Sequence, residues 1–239
     1  MSPEADIFDR VVLVYNPMNR RIPLTLAETV RGDLHRRLPD VPITLQATER
    51  AGHARELASV AAAVGRPLIV AVGGDGVFNE VVNGVMDVAG SGALAAVAAG
   101  GNANDHRRST RRMPLVDAIV AAHIEGRARH LDLLRLTVGT GAAEWSQYAH
   151  SYIGFGLTPV MAVGLKRDRK GTLAELGSVL RTFTELAPVE IVRSGGMHEL
   201  YDSLVFANVA RMAVRSATPA DPTMGCSKWW RVDTAAAGG

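Results

Sequence analysis

The chain has 239 residues, 47% of them apolar and 21% charged, with a formal net charge of +2. That length supports a sizeable core in one large or two modest domains, and the slight charge gives no electrostatic ground for a nucleic-acid partner. Cys226 stands alone, which excludes an internal disulfide and a cysteine-paired metal motif, so a reducing cytoplasm is the expected setting.

Arg10–Tyr15 is a short run rich in β-branched residues that stops at Asn16-Pro17, which predicts a buried first strand and a turn. Leu26, Val30, Leu34 and Leu38 recur every four residues among Glu28, Arg31, Asp33 and Arg37. This spacing predicts a one-sided helix ending at Pro39. A second strand is expected over residues 41–48, then a helix over 51–64 with Leu57, Val60, Ala61 and Val64 on its apolar face. The third strand begins at Leu68; Phe78, Val81, Val82, Val85 and Met86 mark the helix behind it, and residues 93–98 form a fourth strand. Strands alternating with helices predict an α/β fold with a doubly wound parallel sheet and ligands at the carboxyl ends of its strands.

The third strand runs into Gly73-Gly74-Asp75-Gly76. Three glycines in four positions allow positive φ and let a ligand lie against bare backbone, while the amides of the following helix favour an anion. A nucleotide phosphate is the expected guest, and an ordinary tight turn is the plainer alternative. Asp75 would repel a phosphate unless a divalent cation or a transferable proton lies between them. At the end of the fourth strand, Gly100-Gly101-Asn102-Ala103-Asn104-Asp105 joins a glycine pair to amide and carboxylate side chains. In a parallel sheet it would lie beside the first loop, although alone it also reads as a turn and helix N-cap.

Beyond residue 127 the pattern becomes strand-rich. Residues 128–138 alternate as a half-buried strand, and 145–153 form its partner across the hairpin signal Gly139-Thr-Gly141. Helices are predicted over 159–170 and 173–186, strands over 189–193 and 200–209, with Trp229-Trp230-Arg-Val closing the layer. The pattern predicts an α/β nucleotide-binding domain, 1–127, and a smaller β-rich domain, 128–239. The basic run His106 to Arg112 suits a phosphate or anionic head group as well as solvated surface. Lys166 to Lys170, at a predicted helix C-terminus, reads as solvated surface. The seven histidines show no ligand spacing, and no zinc site is expected.

Taken together, these residues resemble the diacylglycerol kinase catalytic domain family of lipid kinases, which includes sphingosine kinases and bacterial diacylglycerol kinases. The likeness rests on Asn16-Pro17 at the end of the first strand and on Thr48 followed by Gly52-His53-Ala54, where the family has Gly-Asp-Ala. It rests further on Gly73 to Gly84, matching Gly-Gly-Asp-Gly-Thr-x-Asn-Glu-x-x-Asn-Gly, and on Gly101 to Asp105, matching Gly-Thr-x-Asn-Asp. His130-Leu-Asp132-Leu and Tyr152-Ile-Gly154-Phe-Gly156 are similar to two later landmarks. The chain also departs from the pattern. Met18-Asn-Arg-Arg21 replaces a glycine-rich turn, Val77 and Asn102 replace two threonines, and Met224 stands where the family has the Asp that resembles the general base. The chain ends soon after, where relatives continue through further strands.

The resemblance implies an ATP-dependent lipid kinase that transfers the γ-phosphate of ATP to a diacylglycerol-like hydroxyl, with catalysis impaired by Met224. Asp75 would be catalytic. Asn16, Pro17, Thr48, Gly73, Gly74, Asp75, Gly76, Val77, Asn79, Glu80, Gly101, Asn102, Asn104 and Asp105 would hold the nucleotide. Asp75, with Glu80 and Asp105 through water, would hold Mg²⁺. The implied partners are ATP and a lipid at a membrane surface, with no nucleic acid; a homodimer is left open. NAD kinase shares the Gly-Gly-Asp-Gly loop but carries its Asn-Glu pair well downstream, whereas Asn79-Glu80 follows at once here. A nucleotide-binding protein without catalysis is a third reading, supported by Met224. Glu4, Asp6 and Asp9 replace the basic start of a signal peptide, and no run approaches the ~20 apolar residues of a membrane span. A cytoplasmic protein, peripheral to the membrane, is expected.

Overall fold

The computed structural model describes residues 7–17, 24–99, 113–139, 141–156, 189–192, 196–201, 203–208 and 230–231. β1 (Arg10–Tyr15), β2 (Ile43–Ala47), β3 (Pro67–Gly73) and β4 (Leu94–Ala99) form a parallel sheet in the order β2-β1-β3-β4. The winding therefore reverses between β1 and β3. In a doubly wound sheet that reversal opens a crevice at the carboxyl ends of the two strands.

Helices α1 (Leu24–Arg37), α2 (His53–Ala62), α3 (Asp75–Met86) and α4 (Leu115–Glu125) accompany the sheet. Successive strand residues point to opposite faces, so each strand feeds two cores. Val11, Leu13, Leu68, Val70 and Val72 pack with Ala27, Val30 and Leu34 of α1 and Ile119 and Val120 of α4. Val12, Val14, Ile69 and Ala71 pack with Ala54 and Ala58 of α2 and Phe78 and Val81 of α3. The pairing of Val11 with Leu68 and of Leu13 with Val70 keeps like faces together. Every position of β3 is buried, as expected for a central parallel strand covered on both sides.

Two helices differ from the sequence expectation. In α2 the buried stripe is Ala54, Ala58, Ala61 and Ala62, while Val60 and Val64, expected on the apolar face, are 73% and 65% exposed. The reason is close packing against α3. A Cβ on Gly84 would fall 2.2 Å from the Arg55 carbonyl oxygen and 2.7 Å from the Ala58 Cβ, so small residues rather than large ones occupy this contact. Helix α4 is absent from the predicted elements, yet it completes the first core cluster. It starts after Pro114 and stops at Gly126, whose φ of 62° ends the helix in the left-handed region.

The described residues fall into two compact units. One runs through Leu133 and includes Tyr148–His150; the other takes Leu134–Gln147, the described part of Ser151–Asn208, and residues 230–231. Small sheets are built from β5 (Leu134–Val138), β6 (Trp145–Ala149), β7 (Tyr152–Gly156), β8 (Val189–Val192), β9 (His198–Tyr201), β10 (Ser203–Ala207) and β11 (Trp230–Arg231), all in the second unit except Tyr148 and Ala149 of β6. Their orders are β11-β5-β6, β10-β7 and β8-β9, the last two pairs antiparallel. The hairpin expected at Gly139 joins β5 to β6, and Gly139 has a φ of 91°. The strand predicted over 128–138 begins only at Leu134. That predicted over 145–153 breaks at the buried pair His150 and Ser151, and that over 200–209 falls into β9 and β10. The helices predicted over 159–170 and 173–186, and the basic run within them, lie outside the described residues.

Gly84→Ala should destabilise the fold by about 1–3 kcal/mol through overpacking at the α2–α3 contact. Gly76→Ala, where a Cβ meets nothing within 4 Å, should be neutral or stabilise by up to about 1 kcal/mol. Thermal melting of the two variants checks this; equal midpoints would refute the packing role of Gly84.

Candidate active site

The ends of β1, β2 and β3 bring Asn16, Thr48 and the Gly73-Gly74-Asp75 turn to one edge of the sheet. The backbone N–H of buried Thr48 donates to the Tyr15 carbonyl at 2.8 Å, extending the ladder to the rim. Asn16 is half-buried and Pro17 exposed. Gly101, Asn102, Asn104 and Asp105 follow β4 in sequence and lie outside the described residues, as do Met18 to Arg21, the basic run 106–112 and Met224.

The glycine turn works differently from the expectation of positive φ. Gly73 continues β3, Gly76 is already helical, and Gly74 between them is extended, with φ −97° and ψ −173°. Gly73 is needed for contact, since a Cβ there would press the Val77 Cγ2 at 3.1 Å. Gly74 is the N-cap of α3 and brings no capping side chain, so the first-turn amides are not covered by a side-chain cap. Val77, standing where the family has Thr, is half-buried against the second core cluster.

Asp75 opens α3, and its side chain is 26% exposed. Its Oδ1 lies 3.9 Å from Nε2 of His150, a residue only 4% exposed. The Nδ1 of that ring is 3.3 Å from the Asn79 Oδ1, and Phe78 meets the ring edge-on at 4.8 Å between centroids. His150 is the residue that sequence reasoning missed. Histidine spacing carries no signal for it; the usable sign was a polar His-Ser pair inside an apparent strand.

The second half of the long motif faces protein. Glu80, expected to reach a metal or nucleotide, accepts the Gly52 N–H on Oε1 and the Ala54 N–H on Oε2, each at 3.2 Å. Gly52, the α2 N-cap, has a φ of 80° and supplies no side-chain bond of its own. Glu80 thus caps α2 from α3, where a carboxylate also offsets the helix dipole. Asn83 is 1% exposed. Its amide donates to the Tyr148 carbonyl and accepts the Tyr148 N–H, both at 2.8 Å, as a neighbouring strand would.

At the same end of α2, His53 accepts the Glu49 N–H at 3.0 Å. Arg50 forks onto Glu56 at 2.7 and 2.6 Å; this hydrogen bond, ahead of the charge, holds Glu56 below the usual carboxylate range and raises Arg50. Arg55 grips Asp87 at the C-cap of α3, both bonds 2.6 Å, and is raised chiefly by that hydrogen bond. Among the described residues no group of three or more His, Cys, Asp or Glu side chains is placed to hold a metal.

Glu80→Ala should lower stability by about 0.5–2 kcal/mol, the usual worth of a helix cap, and Glu80→Gln by less. Denaturant unfolding checks the order. A Glu80→Ala variant with unchanged stability but lost Mg²⁺ dependence would return Glu80 to the metal.

The family profile for the "Diacylglycerol kinase catalytic domain" matches residues 10–136. No curated protein matches the chain. Two solved structures of Bacillus anthracis str. Sterne proteins assigned as diacylglycerol kinases share the fold. One is 21% identical with a TM-score of 0.55, aligned over 86% of this chain and 68% of that one; the other is 22% identical with a TM-score of 0.56, over 86% and 66%. This chain spans about two thirds of their length. The profile covers more than half of the 239 residues, with the glycine turn and the capping motif of α3 inside it, and the chain belongs to the diacylglycerol kinase catalytic domain family.

Proposed function

We propose that the protein is an ATP-dependent lipid kinase, transferring the γ-phosphoryl group of ATP to the hydroxyl of a diacylglycerol-like lipid. The observation that carries this reading is the placement of Asp75. It is a partly exposed carboxylate in the first turn of a glycine-capped helix, beside the reversal point of the sheet, in a chain of this family. ATP would lie across the crevice, its phosphates at Gly73 to Gly76, with Asn16, Pro17, Thr48, Gly101, Asn102, Asn104 and Asp105 as further nucleotide-binding residues.

Mg²⁺ generally takes one or two carboxylates together with substrate phosphates and water. Asp75 fits that need, with Asp105 as the second carboxylate, whereas Glu80 contributes through the cap on α2. When bound, the ion would neutralise phosphate charge. In the transfer, the lipid oxygen bonds to the γ-phosphorus, the bond to the β-phosphate oxygen breaks, and the hydroxyl proton must leave. Met224 cannot accept that proton, which favours a second reading as a nucleotide-binding protein with little or no turnover. The lipid would meet the strand-rich second half, with the protein in the cytoplasm against a membrane. No helix among the described residues is long and apolar enough to cross one.

Asp75→Ala should abolish Mg²⁺-dependent ATP binding while the circular dichroism spectrum is unchanged; full affinity by calorimetry would make Asp75 a turn residue. Met224→Asp should raise lipid phosphorylation by roughly 10²–10⁴-fold, the usual contribution of a general base, at constant nucleotide affinity. Labelled product in parallel tubes of diacylglycerol, sphingoid base and NAD names the acceptor. Brisk wild-type turnover that is lost in Asp221→Asn or Asp233→Asn would show that the base has moved.

A further inference from the structure

Asp75, Asn79 and Asn83 are spaced four residues apart on α3, and residues at that spacing share a helix face. The chain segment Tyr148–His150 lies along this row. Asn83 holds the backbone of Tyr148 in both directions, Asn79 meets the Nδ1 of His150, and the Nε2 of the same ring faces Asp75. Phe78 fixes the ring plane from its edge. Burying polar groups is costly unless they are paired, and an apolar side chain at position 150 would pack beside Phe78 at lower cost. The polar row therefore needs a reason, and its exposed end is Asp75.

We propose that His150 is a positioning residue that holds the Asp75 carboxylate in one rotamer, and that Asn79 orients its ring for this purpose. The proposal rests on the reading that Asp75 meets the Mg²⁺–ATP complex. The separation of 3.9 Å is longer than a hydrogen bond, and contacts of this kind commonly shorten when a ligand arrives. A carboxylate fixed before binding loses less freedom when it engages a ligand. His150 thereby acts on nucleotide affinity through Asp75.

The test uses the full chain in two measurements. By calorimetry, His150→Leu should weaken Mg²⁺–ATP binding roughly tenfold, as expected for a pair in contact, and leave ATP binding in EDTA unchanged. His150→Gln, which can still reach both polar neighbours, should stay within about threefold of wild type. A His150→Leu loss that persists in EDTA, or equal losses for Leu and Gln, would overturn the proposal.

The second measurement needs no nucleotide. Three-bond couplings of Asp75 should report one χ1 rotamer in the wild type and averaging in His150→Leu. Asn79→Ser, which releases the ring at its other nitrogen, should average Asp75 in the same way and serves if His150→Leu does not fold. An Asp75 rotamer unchanged in these variants refutes the positioning role. Averaging in a protein that binds no Mg²⁺–ATP would instead sink the kinase reading and leave the role of His150 standing.

Discussion

The missing side chain at Gly84 is the constraint on which the site depends. Arg55, Ala58 and Ser59 occupy the space where a Cβ would lie, so α3 approaches α2 closely and Glu80 can reach the amides of Gly52 and Ala54. Both helices follow parallel strands, and both therefore start at the carboxyl edge of the sheet. Their electrostatics differ. The Glu80 carboxylate offsets the positive end of α2, whereas α3 starts at a bare Gly74 with Asp75 in its first turn. On the proposed reading, a phosphate arriving at α3 would meet favourable amides and an unfavourable carboxylate together, and a bound cation would resolve that conflict.

The sheet was readable because each strand is a short apolar run with a turn signal behind it; β1 falls on the predicted residues. The face of α2 was misread because hydropathy ranks Val60 and Val64 above alanine, while the contact with α3 selects for size. The place of Asp75 between a strand and a helix was legible from its glycine neighbours alone. The work of Glu80 could not, since its partners lie 28 and 26 residues earlier. His150 was further out of reach. Its neighbours Asp75, Phe78 and Asn79 lie more than seventy residues earlier, and only the folded chain supplies that proximity.

Asn79, Glu80, Asn83 and Gly84 give the long motif its specificity as a family signature, yet each is turned toward protein. Asn79 meets His150, Glu80 caps α2, Asn83 pairs with Tyr148 as a strand would, and Gly84 admits α2. These positions report how α3 is held. They do not report what is transferred, and a chain can keep them while its chemistry changes elsewhere.

That separation shows how the two notable departures differ in kind. Val77 has nearly the shape of the threonine it replaces and keeps its packing over Gly73. What is lost is one hydroxyl, and a single hydrogen bond is worth about 0.5–1.5 kcal/mol net. Nucleotide affinity should therefore be trimmed rather than abolished by Val77. On the proposed reading, Met224 would remove a proton acceptor, a loss that falls on turnover rather than binding. On the same reading, a chain with both changes would keep the means to bind a nucleotide while the means to use it would be weakened.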